Sequence, residues 1–459
     1  MKKMRKTLLW LLVLLVSVSL VGVFSLNSCK KEVVTTEEEA EEEAAVVEEA
    51  EEVVPAEEKE EEVSFEGRVL TIAASQNWIT DAERVQAEDF TKETGIIVDI
   101  QVNPDDQYLN IIKTKLSAGE APDIFFWGAG LTLKQIPAEN VFDLSNEPWV
   151  PRLKDWARNG ATVDEKLWGL NIWSADGWAM LYNTGIFDKY NLTPPKNYTE
   201  FLNICETLEN NGILPIYEFF SELWHPPLYL SEAAGVVNYN NPGTYDKLNN
   251  GELKFVDIPE FVLVLTQLKE LADKGYLGKD YMSNLWNDAY KAMGTGEAAM
   301  YLGSPGQLLE IDVGYPDSGA KDFKGFPSPL GFTGEVNVFA VSAGGVVQLV
   351  NKDTKNLDLV RAYFEFITRD ENLQKFYEKR VGFLNPSFEG INVEPLEAVS
   401  SITELVDGNL GMEGFAGILF FDMMTTGKYI EEMMLGTSTP VQVLEKIDVD
   451  REKLLEIVD

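Results

Sequence analysis

The chain is poor in positive charge, in histidine and in cysteine. Its 459 residues include 38 lysines and arginines against 76 aspartates and glutamates, a formal net charge of −38, with one histidine and two cysteines. An acidic surface repels the phosphate backbone, so we expect no nucleic-acid partner. The single histidine, His225, argues against multi-histidine metal sites and against histidine-based general base catalysis. We therefore expect neither a metal nor a cofactor.

Apolar and aromatic residues, in contrast, are plentiful. They make up 45% and 11% of the chain, respectively. The chain is too long for one ordinary domain, and its apolar content is sufficient to fill two cores. The composition therefore predicts a globular protein with two lobes.

The N-terminal segment indicates export. A basic stretch, KKMRK at residues 2–6, precedes an apolar run at 8–16, which is typical of a signal peptide; an uncleaved single-span anchor is the alternative. The run closes with LNSC at residues 26–29, which resembles the lipobox of bacterial lipoproteins. That resemblance implies a signal peptide at 1–28 and lipidation of Cys29. Either reading puts the rest of the protein outside the cytoplasmic membrane, held at its surface.

Residues 29–66 are predicted to form an acidic, flexible tether. From Lys30 to Glu66 there are 17 glutamates and three lysines, a charge density that opposes compaction. Fully extended, this segment reaches on the order of 120 to 130 Å. An acidic metal-binding tail is the alternative. With Cys29 lipidated, Cys205 has no disulfide partner, and its apolar-periodic surroundings favour a buried small hydrophobe over a nucleophile.

A β-α-β unit is predicted at the start of the globular part. Residues 68–74 and 96–102 read as strands, and Asp81 to Thr94 reads as a helix whose Thr80 and Glu83 have capping-box spacing. Such a unit gives parallel strands and a right-handed crossover. A second helix from Asp106 and a buried strand at residues 124–127 extend the same sheet.

Ligands of open parallel sheets bind at the carboxyl ends of the strands. Gln76, Asn77 and Trp78 follow the first predicted strand, and Trp127 ends a later one. We therefore expect these four residues to face one cleft. Packing of Trp78 against the helix entrance is the alternative for that side chain.

A second aromatic stretch spans residues 167–183. It contains Trp168, Trp173 and Trp178, with Asp176 between the last two. Indole rings usually enter cores, so at least one of the three is expected there. A carboxylate among aromatic rings suits carbohydrate instead, because a ring stacks on the sugar face while the carboxylate accepts hydrogen bonds from hydroxyl groups.

These segments together resemble the family 1 extracellular solute-binding proteins, the sugar-binding lipoproteins of ABC importers that include the maltodextrin-binding proteins. The resemblance extends over nearly the whole mature chain. The matching segments are KLSAGEAPDIFFWG, IPAENVFDLS, LYNTGIFDKYNLTPPKNYTEFLNICETL, GTGEAAMYLGS, FPSPLG and LDLVRAYFEFITRDENLQKFY. One departure is that Ser304-Pro305-Gly306 follows Gly303, where many relatives carry a tryptophan.

The resemblance implies an α/β protein with the type II periplasmic-binding-protein fold. Its two lobes have parallel-rich sheets flanked by helices, and a ligand cleft lies between them. The expected crossings between lobes are at LYNTG, at GEAAMYLGS and after Phe366. These crossings assign residues 67–180 plus about 300–368 to lobe 1, and residues 181–299 plus about 369–459 to lobe 2.

The resemblance also implies the site and the partners. Trp127 matches an aromatic cleft position, Asp176 a hydroxyl-binding carboxylate, and residues 76–78 the first ligand loop. Other candidate ligand residues are Trp173, Trp224, Trp286, Gly344 through its backbone amide, and Asp422. His225 is expected to be a polar core or rim residue. The implied function is capture of a mono- or oligosaccharide for an ABC permease, by a membrane-anchored monomer without catalytic activity.

Two other functions fit parts of the pattern. A binder of a peptide, a polyamine or a siderophore would share the two lobes and differ in the cleft. A secreted glycoside hydrolase would also use aromatic rings and carboxylates, but it needs two carboxyl groups roughly 5 to 10 Å apart across the scissile bond. No hydrolase sequence pattern is visible.

Overall fold

The computed structural model of the protein describes residues 65–174, 177–394, 396–400 and 410–458. All of them belong to one compact unit, Val63–Asp459. The predicted signal peptide, Cys29, the acidic tether and Asp176 lie outside the described residues. The described strands are β1 Val69–Ser75, β2 Ile97–Asn103, β3 Ile124–Gly128, β4 Thr162–Val163, β5 Lys166–Leu167, β6 Gly169–Leu170, β7 Ala179–Tyr182, β8 Leu214–Ile216, β9 Ala298–Gly303, β10 Lys324–Phe326, β11 Phe339–Val341, β12 Val346–Val350 and β13 Leu410–Met412.

The helices divide into longer ones that cover the sheets and short ones in the connections. The described α-helices are α1 Asp81–Thr94, α2 Asp105–Ala118, α3 Asp155–Gly160, α4 Thr184–Lys189, α5 Tyr198–Asn210, α6 Pro227–Asn240, α7 Thr244–Asn249, α8 Pro259–Asp273, α9 Trp286–Gly294, α10 Gln307–Gly314, α11 Leu357–Ile367, α12 Asp370–Lys379, α13 Gly414–Gly417, α14 Met423–Met434 and α15 Pro440–Val458. None of the helices in the described part of the chain is long and apolar enough to cross a membrane.

The first sheet has the strand order β2-β1-β3-β12-β6. Strand β1 runs parallel to both β2 and β3, as the β-α-β pattern predicts. The predicted capping box of α1 is present, since Thr80 and Glu83 bond reciprocally. Strand β12 returns from far along the chain and pairs antiparallel with β3.

Buried hydrogen bonds tie the strands of this sheet together. The Asp123 carboxylate, just before β3, accepts bonds from the backbone N–H of Thr71 at 2.9 Å and from its hydroxyl at 2.7 Å. The hydroxyl of Tyr108 on α2 lies 2.7 Å from the carbonyl oxygen of Phe126 and 3.0 Å from that of Ala73. The two contacts of the Tyr108 hydroxyl fix α2 against the carboxyl ends of β1 and β3. Breaking them would leave buried polar groups unpaired, which is costly.

The second sheet has the order β10-β7-β9-β8 and carries buried side chains on both faces. Along β7, Met180 and Tyr182 contribute to one hydrophobic cluster, while Ala179 and Leu181 contribute to another. This alternation follows from the two-residue period of a strand. We call the two clusters together the second core, and the cluster around the first sheet the first core.

Within its described residues, the chain passes between the two cores three times. Buried residues of the first core span 70–172 and 346–391, and those of the second core lie mainly at 179–339 and 396–447. Strand β9 therefore belongs to the second sheet, and α12 belongs to the first core. The first passage lies between the buried residues 172 and 179, the second between 340 and 346, and the third between 391 and 396.

Cys205 is a core residue. It lies on α5 among apolar neighbours and forms no disulfide. Burial raises the pKa of its thiol well above the ordinary value. A protonated, inaccessible thiol is a poor nucleophile.

Candidate functional site

Two passages between the cores run side by side at Gly177. Its backbone forms an antiparallel bridge with Val341. A Cβ atom at Gly177 would overlap the carbonyl oxygen of Ala340 and the ring of Phe339, so only glycine allows this approach. Trp173, on the first-core side, and Trp178, on the second, flank this crossing.

A group of aromatic rings, half-buried except for the fully buried Phe219, begins at the crossing and extends over the second core. We call Trp178, Trp224 and Trp286 with Phe219 and Tyr290 the aromatic cluster. The ring centroids of Trp178 and Trp224 are 6.0 Å apart, and those of Trp224 and Trp286 are 5.4 Å apart. Trp286 also lies 5.3 Å from Tyr290. The structure thus brings together two predicted residues, Trp224 and Trp286, and adds Trp178.

The position of Trp224 depends on α14. Gly427 on this helix packs so closely on Leu223 that a Cβ atom there would overlap the Leu223 carbonyl oxygen. Trp286 is the first residue of α9, and Phe219 packs edge-on against both indoles at 5.9 Å. Half-buried rings held in this way keep part of their faces available to a ligand.

The predicted ligand loop at residues 76–78 lies on the first core. Gln76 and Asn77 are exposed, and Trp78 packs edge-on against Tyr108 at 5.3 Å. The side chains of Ser75 and Asn77 both donate hydrogen bonds to the Asp105 carboxylate. The loop is therefore fixed to the start of α2, with its polar side chains toward solvent.

Trp127 does not line an open surface. Its side chain is 1% exposed, and its indole N–H donates to the Thr132 carbonyl oxygen at 3.0 Å. The Lys113 ammonium lies 5.6 Å from the centre of its ring. With both its face and its N–H occupied, Trp127 acts as a core residue in this conformation. A ligand contact at Trp127 stays a prediction, and this conformation shows the ring packed within the first core.

Gly344 also differs from the expectation. Its backbone N–H donates to the Ser342 hydroxyl at 3.3 Å, and its carbonyl oxygen accepts from the Asn171 amide at 3.2 Å. Its φ of +101° and its contacts with Asn171 and Trp156 explain why glycine is needed here. The amide predicted to bind ligand is thus already bonded within the protein.

Trp173 is half-buried between two other side chains. Its ring lies 5.2 Å from that of Phe383, and the Arg380 guanidinium lies 5.1 Å from its centre. Gly345 approaches the ring so closely that a Cβ atom would lie 2.6 Å from it. Trp173 therefore belongs to the first-core side of the crossing rather than to the aromatic cluster.

Asp422 and Lys113 face each other from different cores. The Asp422 carboxylate caps α14 by accepting from the Thr425 N–H at 2.7 Å. Although the Lys113 side chain is exposed, the surrounding protein lowers the pKa of its ammonium, and the Asp422 charge opposes that lowering. Nearby, a Cβ atom at Gly130 would lie 2.7 Å from the Ala416 carbonyl oxygen. The two cores thus approach each other at these positions.

Phe420, two residues before Asp422, has a strained backbone. It is half-buried with a φ of 59°, a left-handed conformation that non-glycine residues seldom adopt. Its neighbour Phe421 is buried and stacks on Phe255 at 5.5 Å. Of these two rings, Phe421 is therefore the one that belongs to the core.

A pair of buried carboxyl groups was not foreseen from the sequence. Glu232 on α6 is 4% exposed and Glu413, before α13, is fully buried. Burial raises the pKa of Glu232 well above its ordinary value, and the neighbouring Glu413 raises it further. Both carboxyl groups in turn raise the pKa of Tyr245, after burial itself.

We predict that Glu232→Gln stabilises the protein increasingly as the pH rises from 5 to 8. A raised carboxyl pKa means that the folded state binds more protons than the unfolded state. The protein with glutamate at position 232 therefore loses stability as the pH rises. Glutamine has no proton to lose. Thermal unfolding at several pH values measures the difference, with Glu206→Gln on the exposed face of α5 as control. Equal pH dependence of native protein and Glu232→Gln would contradict the raised pKa.

Among the described residues, no group of three or more histidine, cysteine, aspartate or glutamate side chains is placed to hold a metal ion. The site that the described residues do form is aromatic and lies beside the crossing between two α/β cores.

The chain belongs to the bacterial extracellular solute-binding proteins. The model of that family matches residues 76–374, more than half of the chain. The structure has the two-lobed periplasmic-binding-protein fold that the sequence predicts, and its solved neighbours share this fold. The recognised family and fold are therefore confirmed.

Three similar proteins illustrate the relationship. An uncharacterised ABC transporter extracellular-binding protein of Pyrococcus horikoshii is 27% identical over 185 residues, which cover 39% of this chain and 42% of the relative. A chitin oligosaccharide binding protein aligns with a TM-score of 0.71 at 20% identity, covering 84% of this chain and 99% of that one. A sugar transporter protein from Bacillus licheniformis, solved with stachyose, aligns with a TM-score of 0.69 at 20% identity, covering 83% and 98%.

Proposed function

We propose that this protein is the extracytoplasmic substrate-binding lipoprotein of an ABC importer and that it captures a mono- or oligosaccharide between its two lobes. The observation that carries the proposal is the aromatic cluster of Trp178, Trp224 and Trp286 beside the crossing between the cores. Family membership supports the transport role. The neighbours described as binding chitin oligosaccharide and stachyose support a carbohydrate ligand.

The packing suggests lobe boundaries different from those expected from the sequence. We propose that lobe 1 consists of residues 67 to about 174 with about 342–394, and lobe 2 of about 177–341 with about 396–459. The described buried residues of each core support this division. The lipidated Cys29, the tether at 29–66 and a monomeric state complete the proposal.

Ligand capture follows from differential affinity for two states. A sugar favours the closed state only to the extent that it binds that state more tightly than the open one, so both lobes must contact it. The aromatic cluster supplies stacking rings from lobe 2. Gln76, Asn77 and Trp78 supply polar and aromatic groups from lobe 1. Asp176, the carboxylate that the sequence predicts, would accept hydrogen bonds from hydroxyl groups.

A thermal-shift panel tests the ligand class. Stachyose, chitin oligosaccharides and xylo-oligosaccharides represent the sugars, and spermidine and a short peptide represent the other solutes. We expect a sugar to raise the melting temperature and spermidine and the peptide to leave it unchanged. A shift with spermidine or the peptide alone would replace the carbohydrate assignment with another solute class.

A reducing-sugar assay on the same samples tests for catalysis. A binding protein releases no new reducing ends during prolonged incubation with the oligosaccharides. Time-dependent release by the purified protein would instead support the glycoside hydrolase alternative.

A further inference from the structure

A buried ion pair lies directly behind the aromatic cluster. His225 and Glu218 are both fully buried. The imidazole Nδ1 is 3.0 Å from Glu218 Oε2, and Nε2 is 3.0 Å from the Leu302 carbonyl oxygen. The other oxygen, Glu218 Oε1, accepts a hydrogen bond from the Tyr229 hydroxyl. The Nδ1 to Oε2 contact is close, but the two atoms do not form a well-aligned hydrogen bond.

The contacts of the imidazole require one proton beyond the neutral ring. The carbonyl oxygen of Leu302 can only accept, so Nε2 must carry a hydrogen. A neutral ring would then present the Nδ1 lone pair to a carboxylate oxygen 3.0 Å away in a buried site. Such a contact is repulsive, so the pair holds a second proton, on either Nδ1 or Oε2. The Tyr229 hydroxyl already donates to the other Glu218 oxygen, which favours the carboxylate form and assigns that proton to the ring.

Two ionisable groups near this pair, the Tyr229 phenol and the Cys205 thiol, are kept neutral. Burial and the Glu218 carboxylate raise the pKa of Tyr229 well above its ordinary value, so the phenol stays a neutral donor. The Cys205 thiol, which lies near Tyr229, is also kept neutral by burial. Three neighbours of the ring, Phe219, Trp224 and Tyr229, are aromatic.

The His225 imidazole packs against two rings of the aromatic cluster. Its ring lies 3.9 Å from that of Phe219, with 32° between the planes, and stands nearly perpendicular to Trp224 at 5.4 Å. Trp224 also precedes His225 in the chain. A change in the orientation of the imidazole therefore moves Trp224 through both the backbone and the ring contact.

We propose that the Glu218–His225 pair is a positioning unit for Trp224 and that carbohydrate affinity depends on the proton the pair holds. The pair does not touch the ligand; it fixes the indole on which the ligand stacks. This inference rests on the proposed function. It adds that one buried proton, remote from solvent, contributes to ligand affinity.

The proton can be observed directly because His225 is the chain's one histidine. Untagged full-length protein labelled with ¹⁵N-histidine gives imidazole signals from a single residue. At pH 7.5 and without ligand, we expect both ring nitrogens of the native protein to be protonated. In Glu218→Gln, the Nδ1 signal should shift to that of an unprotonated nitrogen, because the amide can donate to it. An unprotonated ring nitrogen in the native protein would overturn the assignment.

Binding measurements then test the positioning role. The probe is stachyose, or the panel sugar with the largest thermal shift. It is titrated into the protein, and tryptophan fluorescence reports binding. Glu218→Gln should bind about tenfold more weakly, because Trp224 is held less firmly in the orientation that stacks on the sugar. Glu222→Gln, in the same loop, should bind as the native protein does. Unchanged affinity in Glu218→Gln, with Nδ1 deprotonated, would overturn the positioning role.

Failure of the proposed function would give a different result from failure of the positioning role. If no panel sugar binds the native protein, the carbohydrate assignment fails, while the imidazole signals still decide where the proton lies. In that case the ¹⁵N–¹H signal of the Trp224 indole tests positioning without ligand. We expect it to shift or broaden in Glu218→Gln and to stay in place in Glu222→Gln. An unmoved indole signal in Glu218→Gln would overturn the positioning role.

Discussion

Trp224→Ala is expected to weaken carbohydrate binding by roughly 70-fold without unfolding the protein. A stacked ring that removes about 100 Å² of apolar surface from water contributes about 2.5 kcal/mol, which corresponds to this change in affinity. Trp224 is half-buried and contacts the rings of both Trp178 and Trp286, so its removal disrupts the centre of the aromatic cluster. Isothermal titration with the panel sugar that gives the largest thermal shift measures the effect.

Tyr239→Ala is the matched control for this prediction. Tyr239 is an exposed aromatic residue, 41% accessible, near the end of α6. Its removal should leave the dissociation constant unchanged. An affinity that is the same for Trp224→Ala and the native protein would show that the aromatic cluster is not the ligand surface, whereas loss of cooperative unfolding would assign Trp224 a structural role.

Gly427→Ala is expected to destabilise the protein by about 3 kcal/mol and to reduce sugar affinity. Alanine ordinarily stabilises a helix interior by about 1 kcal/mol relative to glycine, so destabilisation here would identify a steric cause. The added methyl group overlaps the Leu223 carbonyl oxygen, and backbone on both sides resists the shift. The displacement reaches Trp224 because it follows Leu223 directly. Urea unfolding and sugar titration measure the two effects.

Gly314→Ala provides the comparison. Gly314 ends helix α10, and a Cβ atom there would meet nothing within 4 Å. This variant should be as stable as the native protein or slightly more so, with unchanged affinity. Similar behaviour of the two glycine variants would contradict the close packing of α14 on the Trp224 loop.

Much of the fold could be predicted because its signals are local. The capping box at Thr80 and the apolar run of β3 each depend on a few consecutive residues. Parallel pairing of β1 with β2 followed from the helix between them. The passages between the cores were harder to locate, because β9 gives a similar apolar pattern whether it crosses between lobes or lies inside the second sheet.

The ligand site was predicted less completely, since side-chain direction is a tertiary property. Trp127 ends a strand at the expected edge of the sheet, but residues 124–127 are all buried, so no alternation showed which way its ring points. Trp178 was visible as one of three tryptophans, yet only the fold places it beside Trp224, 46 residues later. The Glu232 and Glu413 pair joins distant parts of the chain and left no local pattern in the sequence.

The burial of Cys205 makes the protein well suited to site-specific labelling. Its thiol lies inside the second core and is kept protonated, so maleimide dyes should not reach it in the folded state. In protein lacking residues 1–29, cysteines introduced at exposed positions would then be the accessible thiols. A dye on each lobe would report the distance between them by energy transfer. The protein could thus serve as an optical sensor for its own ligand without removal of a native side chain.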